Sequence, residues 1–306
     1  MGYDIIGDIH GHADHLESLL DKLGYQIENG VWSHPTRKVI FCGDFINRGP
    51  KIVETIHIVR SMCEAGNAMT VLGNHEFSLI LWHAFKEKKM LPPALIRKAG
   101  NQSKTTRDAY KQMDLSMDKD MKWLRKQALF LDLPELRVVH ACWDQQAIDA
   151  VVEYQFDGKL KKSILRRIVL QNEETLQHIS RIVQGPIMNM PSDLKVVCNR
   201  GLNRKSFRVK WWCNPLPTTF GELCFEGRYL LPNYTIPSEI MPQINIYDPS
   251  EPTVFCGHYC RSEGAQILSR NVVCVDSCIS HSGILSAYRY NPDELLSTDH
   301  IVTVIQ

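Results

Sequence analysis

Five apolar runs in this 306-residue chain each end in residues able to bind a cation or move a proton. They are YDIIGDIHG (Tyr3 to Gly11), KVIFCGDFINRGP (Lys38 to Pro50), MTVLGNHE (Met69 to Glu76), LRVVHACWD (Leu136 to Asp144) and TVFCGHY (Thr253 to Tyr259). The polar groups at their ends are Asp8 and His10, Asp44, Asn74 and His75, His140, and His258. Carboxylates, imidazoles and one amide make the mixed oxygen and nitrogen set that first-row divalent metals prefer. A single histidine after a strand more often caps that strand or sits satisfied in the core. Five strand ends of one design favour a shared site over five independent caps.

The elements that must position these groups are legible as strands and helices in alternation. In Lys38 to Pro50, the apolar Val39, Ile40, Phe41 and Cys42 read as a buried strand that breaks at Gly43 into a loop carrying Asp44, Asn47 and Arg48. A strand ending in a Gly-Asp turn delivers its carboxylate to the carboxyl edge of a sheet, where open α/β folds place their sites. Leu16, Leu19, Leu20 and Leu23 follow helical spacing from roughly His12 to Leu23, and Gly24 is placed to end that helix. Asn29-Gly30 signals a hairpin turn. A second helix is expected from Pro50 to about Ala65, then a strand from Ala68 to Leu72, so right-handed parallel crossovers build a layered sheet. Helical, lysine-rich sequence runs from Glu76 to about Ala128, and Leu136 to His140 is expected to return to that sheet. The final runs (VFCGH, AQIL, NVVCV, ILSAYRY and IVTVI) suggest a second, mixed sheet packed on the first.

GDIHG, GDFINRGP and GNHE, followed by separate later histidines, resemble the calcineurin-like metallophosphoesterases. The nearest subgroup is the phosphoprotein phosphatases and their bacterial relatives, which include diadenosine tetraphosphatases. The resemblance implies an α/β fold, a layered sandwich of two mixed sheets flanked by helices, formed by residues 1–306 as one domain. Gln145 to Glu251 matches nothing in the family and is expected to be an inserted cap.

The resemblance also implies two divalent metal ions, manganese first and iron or zinc next. Asp8, His10 and Asp44 would hold one, and Asp44, Asn74, His140 and His258 the other. Asp44 suits the bridging role because a carboxylate offers two oxygens to cations about 3.5–4 Å apart. A water shared between the cations would be the nucleophile, attacking phosphorus directly. Arg48 would bind phosphate oxygens with its planar fork, aided by Asn74. His75 would be the general acid, oriented by Asn47. Relatives of the protein-phosphatase type usually carry Asp at the position of Asn47. An Asn is expected to orient the imidazole through its oxygen and to leave His75 with a lower pKa. The chain also reads His-Ala-Cys-Trp where His-Gly-Gly is usual, and VDSCISHSG where a Ser-Ala-Pro-Asn-Tyr stretch is usual. Arg200 is the candidate second phosphate-binding arginine.

A net charge of +1 gives no global field for nucleic acid or a membrane. No apolar run approaches the length of a bilayer span. The chain enters its first strand without the basic and apolar regions of a secretory leader, so a cytoplasmic, reduced protein is expected. Cys42, Cys198, Cys256 and Cys274 lie in apolar strands and are expected to behave as small buried hydrophobes. Cys256 and Cys260 flank His258 without the second pair that a zinc knuckle needs. From Gln155 to Lys210 twelve Lys and Arg stand against four Asp and Glu, and Trp211-Trp212 follows. That surface would hold a polyanion and stack a base, although basic faces are usually solvated and tryptophans usually core.

Three functions follow. The first is hydrolysis of phosphate monoesters on serine/threonine phosphoproteins, and the second is hydrolysis of dinucleoside polyphosphates such as diadenosine tetraphosphate. The third, more distant, is a phosphodiesterase or nuclease, since no stronger basic track for nucleic acid is evident. Outside the enzymes, a scaffold that keeps the fold without catalysis is disfavoured because every ligand position and His75 are present.

Overall fold

The two apolar runs nearest the N-terminus form adjacent parallel strands, β1 (Gly2–Ile6) and β4 (Arg37–Phe41), separated by helix α1 (Ala13–Lys22) and the hairpin β2 (Gln26–Glu28) and β3 (Val31–Ser33). Asn29 and Gly30 turn the hairpin at φ 52° and 81°, the left-handed angles that a two-residue turn demands. The structure is a computed structural model. It describes residues 1–85, 93–153, 160, 162–190, 196–198, 203–213, 218–226, 229–231, 234–260 and 263–305.

Next come α2 (Ile52–Glu64), β5 (Ala68–Thr70), α3 (Asn74–Phe85), α4 (Pro93–Gln102), α5 (Lys104–Gln112) and α6 (Asp118–Leu124). Strands β6 (Phe130–Asp132) and β7 (Arg137–Val139) lead into α7 (Gln145–Val152), α8 (Lys162–Gln171) and α9 (Glu173–Gln184). Five more strands and a short helix follow: β8 (Ile187–Asn189), β9 (Val196–Cys198), β10 (Asn203–Arg204), β11 (Ser206–Arg208), α10 (Phe220–Leu223) and β12 (Tyr229–Leu230). The chain closes with β13 (Val254–Cys256), β14 (Gln266–Ser269), β15 (Val272–Cys274), α11 (Ile279–Ser282), β16 (Ile284–Tyr290) and β17 (Ile301–Ile305).

Residues Met1–Gln184 and Pro252–Gln306 form one unit, and Gly185–Glu251 another. The larger unit holds two five-stranded sheets, ordered β17-β16-β1-β4-β5 and β14-β15-β13-β7-β6. Between them lie Ile5, Ile40, Val71, Val138, Phe255 and Val273, all fully buried. Removing such side chains from water stabilises by roughly 1.5–3 kcal/mol each, which holds the sheets together.

Two sheet assignments differ from the sequence reading. Leu136 to His140 does not rejoin the first sheet: β7 pairs parallel with β13, placing Val139 opposite Cys256 in the second. Conversely, ILSAYRY and IVTVI extend the first sheet, because β16 pairs antiparallel with β1 and β17 with β16. Ile5 and Ile6 are fully buried. The backbone groups of such a strand need partners on both sides, and β4 satisfies only one.

The stretch expected to form an insertion divides. Helices α7 and α9 pack on each other, burying Ile148 and Val151 on one and Ile179, Ile182 and Val183 on the other, and they belong to the larger unit. The smaller unit begins at Gly185 and has its own core of Met188, Phe207, Val209, Phe220 and Leu223. Trp211 is 0% and Trp212 8% exposed, with rings 6.2 Å from Tyr247 and Phe225 respectively. The paired indoles are therefore core residues and offer no face on which a base could stack. Among the described residues, no helix is long and apolar enough to cross a membrane.

Candidate metal centre

Parallel pairing brings the chemical residues together. Ile6 lies beside Phe41, and Phe41 beside Thr70, so the turns bearing Asp8, Asp44 and Asn74 leave the first sheet at one end. Cys256 lies beside Val139 and Cys274, so the segments bearing His140, His258 and Asp276 leave the second sheet at one end. These turns are sharp. His10, Asp44, Asn47, Arg48 and His258 all have φ between 47° and 66°. Such left-handed angles cost non-glycine residues about 1–3 kcal/mol each and cluster where function needs them. Glycine is obligatory at two places, since a Cβ on Gly73 would collide with Asp44 Oδ1 and one on Gly257 with Asp8 Oδ1.

Asp44 is the hub. Its Oδ2 lies 3.5 Å from His140 Nε2, 3.7 Å from His75 Nε2 and 3.9 Å from His10 Nε2. Its Oδ1 accepts the His75 backbone N–H at 2.9 Å. Asn74 Oδ1 is 3.2 Å from His140 Nε2, and Asp8 Oδ2 is 3.8 Å from His10 Nε2. Donor atoms of His10, Asp44 and His75 lie within 4.8 Å of one another, as do those of Asp44, His140 and His258. Asp8 stands beside these clusters, its Oδ1 accepting the His258 backbone N–H at 3.1 Å.

The outer nitrogens are already engaged. His10 Nδ1 is 3.0 Å from the Ile46 carbonyl, and His140 Nδ1 is 2.7 Å from the Cys42 carbonyl. A carbonyl only accepts, so each Nδ1 carries a proton and each Nε2 is the nitrogen that faces inward, the orientation found behind metal-bound histidines. Glu76, fully buried, ties the loops together: it accepts from Asp44 N at 2.7 Å, Gly73 N at 2.9 Å and Ile46 N at 3.2 Å.

Burial and the neighbouring charges set the electrostatics. It pushes Asp8 well above the usual carboxylate range, and Asp276 adds to the rise. Burial would also raise Asp44, but His140, His75 and His10 outweigh it and hold that carboxyl well below its ordinary value. Burial lowers His10 to about 3, and the Arg48 charge contributes. His140 moves the other way, to about 10, because Asp44 and Asp8 overcome its burial.

The sequence-predicted residues beyond the ligand set fall in three classes. His75 has its pKa lowered, the expected direction, with burial the largest cause and Arg48 also acting. Arg48 is exposed, close enough to lower both His10 and His75. Asn47 departs from expectation: its amide nitrogen, not its oxygen, meets His75, with Nδ2 2.6 Å from Nδ1. The reason is that Oδ1 accepts from Thr106 N at 3.2 Å and Thr106 Oγ1 at 2.6 Å, while Nδ2 also donates to the Gln102 carbonyl at 2.8 Å. Arg200 lies outside the described residues.

Asp276 was missed. It is 4% exposed, faces Asp8 and accepts from Cys278 N at 2.9 Å. Its signal was present, since NVVCVD is another apolar run ending in a carboxylate. The expectation of wholly reduced cysteines is also corrected, because Cys260 and Cys278 form a disulfide. The turn after His258 and the left-handed Cys278 bring their Cα atoms to 4.8 Å, inside the range a disulfide spans.

The donor set fits a pair of divalent cations. It is mixed oxygen and nitrogen, buried, oriented from behind, and includes the neutral amide of Asn74, which keeps the loaded site positive toward phosphate.

Residues 1–145 match the calcineurin-like phosphoesterase family. Bis(5'-nucleosyl)-tetraphosphatase PrpE [asymmetrical] of Bacillus subtilis (strain 168) is 49% identical over 76 residues, 24% of this chain. That match spans only 31% of the relative's own length. The symmetrical bis(5'-nucleosyl)-tetraphosphatase of Vibrio parahaemolyticus serotype O3:K6 is 25% identical over 98% of this chain and 99% of its own. Among solved structures, the cold-active protein-tyrosine phosphatase of a psychrophilic Shewanella shares the fold, with a TM-score of 0.51 at 14% identity over 97% of this chain and 80% of that one. Over residues 1–145, the chain carries a calcineurin-like metallophosphoesterase domain.

Proposed function

We propose that this chain is a metal-dependent hydrolase that cleaves phosphoanhydride bonds in dinucleoside polyphosphates. Asp8, His10 and Asp44 would hold one divalent cation, and Asp44, Asn74, His140 and His258 a second, manganese before iron or zinc. Such cations supply Lewis acidity and bring the ionisation of a coordinated water toward neutral pH. The support is the set of inward-facing imidazole nitrogens converging on Asp44 Oδ2.

The chain's own residues do the rest. Arg48, exposed at the rim, carries the permanent charge and planar fork suited to phosphate oxygens. His75 points Nε2 toward Asp44 Oδ2 while its Nδ1 faces a donating amide. Burial, helped by Arg48 and His140, outweighs the pull of Asp44 and of the Gln102 carbonyl and lowers the pKa of His75, so a second ring proton is held weakly. That weakness bears on the leaving group. A nucleotide phosphate departs as a stable anion and needs only a hydrogen bond. A serine alkoxide needs full protonation by an acid of matched pKa. The lowered pKa of His75 therefore favours the anhydride over the phosphoprotein monoester, and the two tetraphosphatase relatives point the same way.

The test compares diadenosine tetraphosphate, a phosphoserine peptide and p-nitrophenyl phosphate with the manganese-loaded protein. The tetraphosphate should have the highest kcat/KM and the phosphoserine peptide the lowest. A faster peptide would assign phosphoprotein phosphatase activity instead, and no turnover of any of the three would assign a scaffold.

A further inference from the structure

Two parallel strands of the second sheet end in turns that match residue for residue. Strands β13 and β15 pair with Cys256 beside Cys274, and two residues further on stand His258 and Asp276. Two residues beyond those stand Cys260 and Cys278, which close a disulfide from one turn to the other. His258 and Asp276 both face Asp8. The His258 backbone N–H donates to Asp8 Oδ1 at 3.1 Å, and the Asp276 charge acts on the same carboxyl. The strand pairing ends at Cys256 and Cys274, so it does not itself fix these turns. Both turns bend through left-handed backbone, His258 at φ 61° and Cys278 at φ 64°. A non-glycine residue keeps such a conformation only where its surroundings hold it there. Cys278 also seats the carboxylate of its own turn, its backbone N–H donating to Asp276 Oδ1 at 2.9 Å.

We infer that the Cys260–Cys278 disulfide is a redox-reversible clasp, which holds the His258 turn in ligating position while oxidised and releases it when a dithiol reduces the bond. The effect on metal rests on the hydrolase reading above, whereas the tie between the two turns does not. Cys260 is the open end of the pair, partly exposed, while Cys278 is 6% exposed. A thiolate of the dithiol attacks Cys260 Sγ, the S–S bond breaks, and Cys278 leaves as a thiolate that takes up a proton. The second thiol of the reductant then attacks the reductant's own sulfur in the mixed disulfide. Cys260 departs as a thiol, and the reductant closes into a disulfide, so two electrons and two protons have passed to the protein. The neighbouring thiols are shielded. Cys256 and Cys274 are 0% and 3% exposed, and Cys274 Sγ donates to the Tyr259 carbonyl at 3.3 Å.

The wild-type protein carries the test, purified without reductant and then reduced with dithiothreitol and desalted anaerobically. Iodoacetamide applied to the native protein, with peptide mass spectrometry, should label Cys260 and Cys278 only after reduction and leave Cys256 and Cys274 unlabelled throughout. In metal-free protein, reduction should speed hydrogen exchange over residues 257–260 and 276–283. Titrated with manganese and followed by the spin resonance of the free ion, the oxidised protein should bind about two ions per chain. Reduction should weaken the second ion about 10–100-fold, the scale of losing a group that orients a ligand. Cys260→Ser should match the reduced wild type and ignore dithiothreitol. Labelling of Cys260 and Cys278 before reduction would overturn the clasp. So would unchanged exchange on reduction, an unchanged second-ion affinity in protein that binds manganese, or a Cys260→Ser protein that still responds to dithiothreitol. An oxidised protein that binds no manganese yet shows the redox-dependent exchange would leave the tie between the turns standing and remove the metal-centre reading.

Discussion

His140 Nε2 stands 3.5 Å from Asp44 Oδ2, and that contact joins the ends of two different sheets. His140 follows β7 in the second sheet, and Asp44 follows β4 in the first. The imidazole closes the gap twice, because its Nδ1 also meets the Cys42 carbonyl at 2.7 Å. The packing of the two sheets is therefore what sets the dimensions of the metal centre.

His75 should be separable from the metal. His75→Asn is expected to lower kcat by about 10²–10³-fold, the usual effect of losing one aimed donor at a reacting phosphate. Metal content should stay at the wild-type level by elemental analysis. Joint loss of turnover and metal would make His75 a ligand, an arrangement its donor atom's closeness to His10 and Asp44 also allows.

Glu76 should matter for architecture. Glu76→Ala leaves the N–H groups of Asp44, Gly73 and Ile46 without their acceptor. At about 1–3 kcal/mol for each unpaired buried donor, the loss should reach about 3 kcal/mol or more in urea unfolding. Glu76→Gln keeps one acceptor oxygen and should lose less. Equal stability of wild type and Glu76→Ala would show that these N–H groups find other partners.

The metal-free protein should lose stability as pH rises from 6.5 to 8. His140 has its folded value raised from 6.5 to about 10, so its contribution is complete below 6.5 and fades as pH climbs toward 10. Burial, then Asp44, raises Glu76 from 4.5 to about 8, so the folded state keeps a proton that the unfolded state releases across that interval. Both act in one direction. Melting temperatures should fall over this window without metal, and manganese should remove the slope by favouring ionised carboxylates and neutral imidazoles. A metal-free melting temperature that rises with pH would contradict the charge arrangement.

Trp211→Ala should act on stability rather than substrate affinity. The indole is fully buried in the smaller unit, and deleting a buried Trp costs about 3–5 kcal/mol. The urea midpoint should drop while KM for diadenosine tetraphosphate stays put in protein that remains folded. A large rise in KM with unchanged stability would restore the stacking role that burial excludes.

What the sequence showed, and what it hid, follow from where the information lies. Asp8, Asp44, Asn74, His140 and His258 were legible because each ends an apolar run, and period and composition report strand ends well. Pairing is not local. Nothing in LRVVH says that β7 would lie beside β13, nor in ILSAYRY that β16 would close the open edge of β1. Asn47 was found by its place in GDFINRGP, yet which end of its amide meets His75 is decided by Gln102 and Thr106, more than fifty residues away. Trp211 and Trp212 were ambiguous because a paired indole looks the same in sequence whether it packs inward or outward. Asp276 was within reach, since its strand end repeats the design of the other five.

Elemental analysis of the manganese-reconstituted protein, wild type against Asp44→Asn, tests the dinuclear centre most directly. The wild type should bind about two ions per chain. Asp44→Asn should bind fewer than about one, because the group proposed to serve both cations would lose its charge and its second ligating oxygen. A full complement of ions in Asp44→Asn, or none in the wild type, would contradict the account.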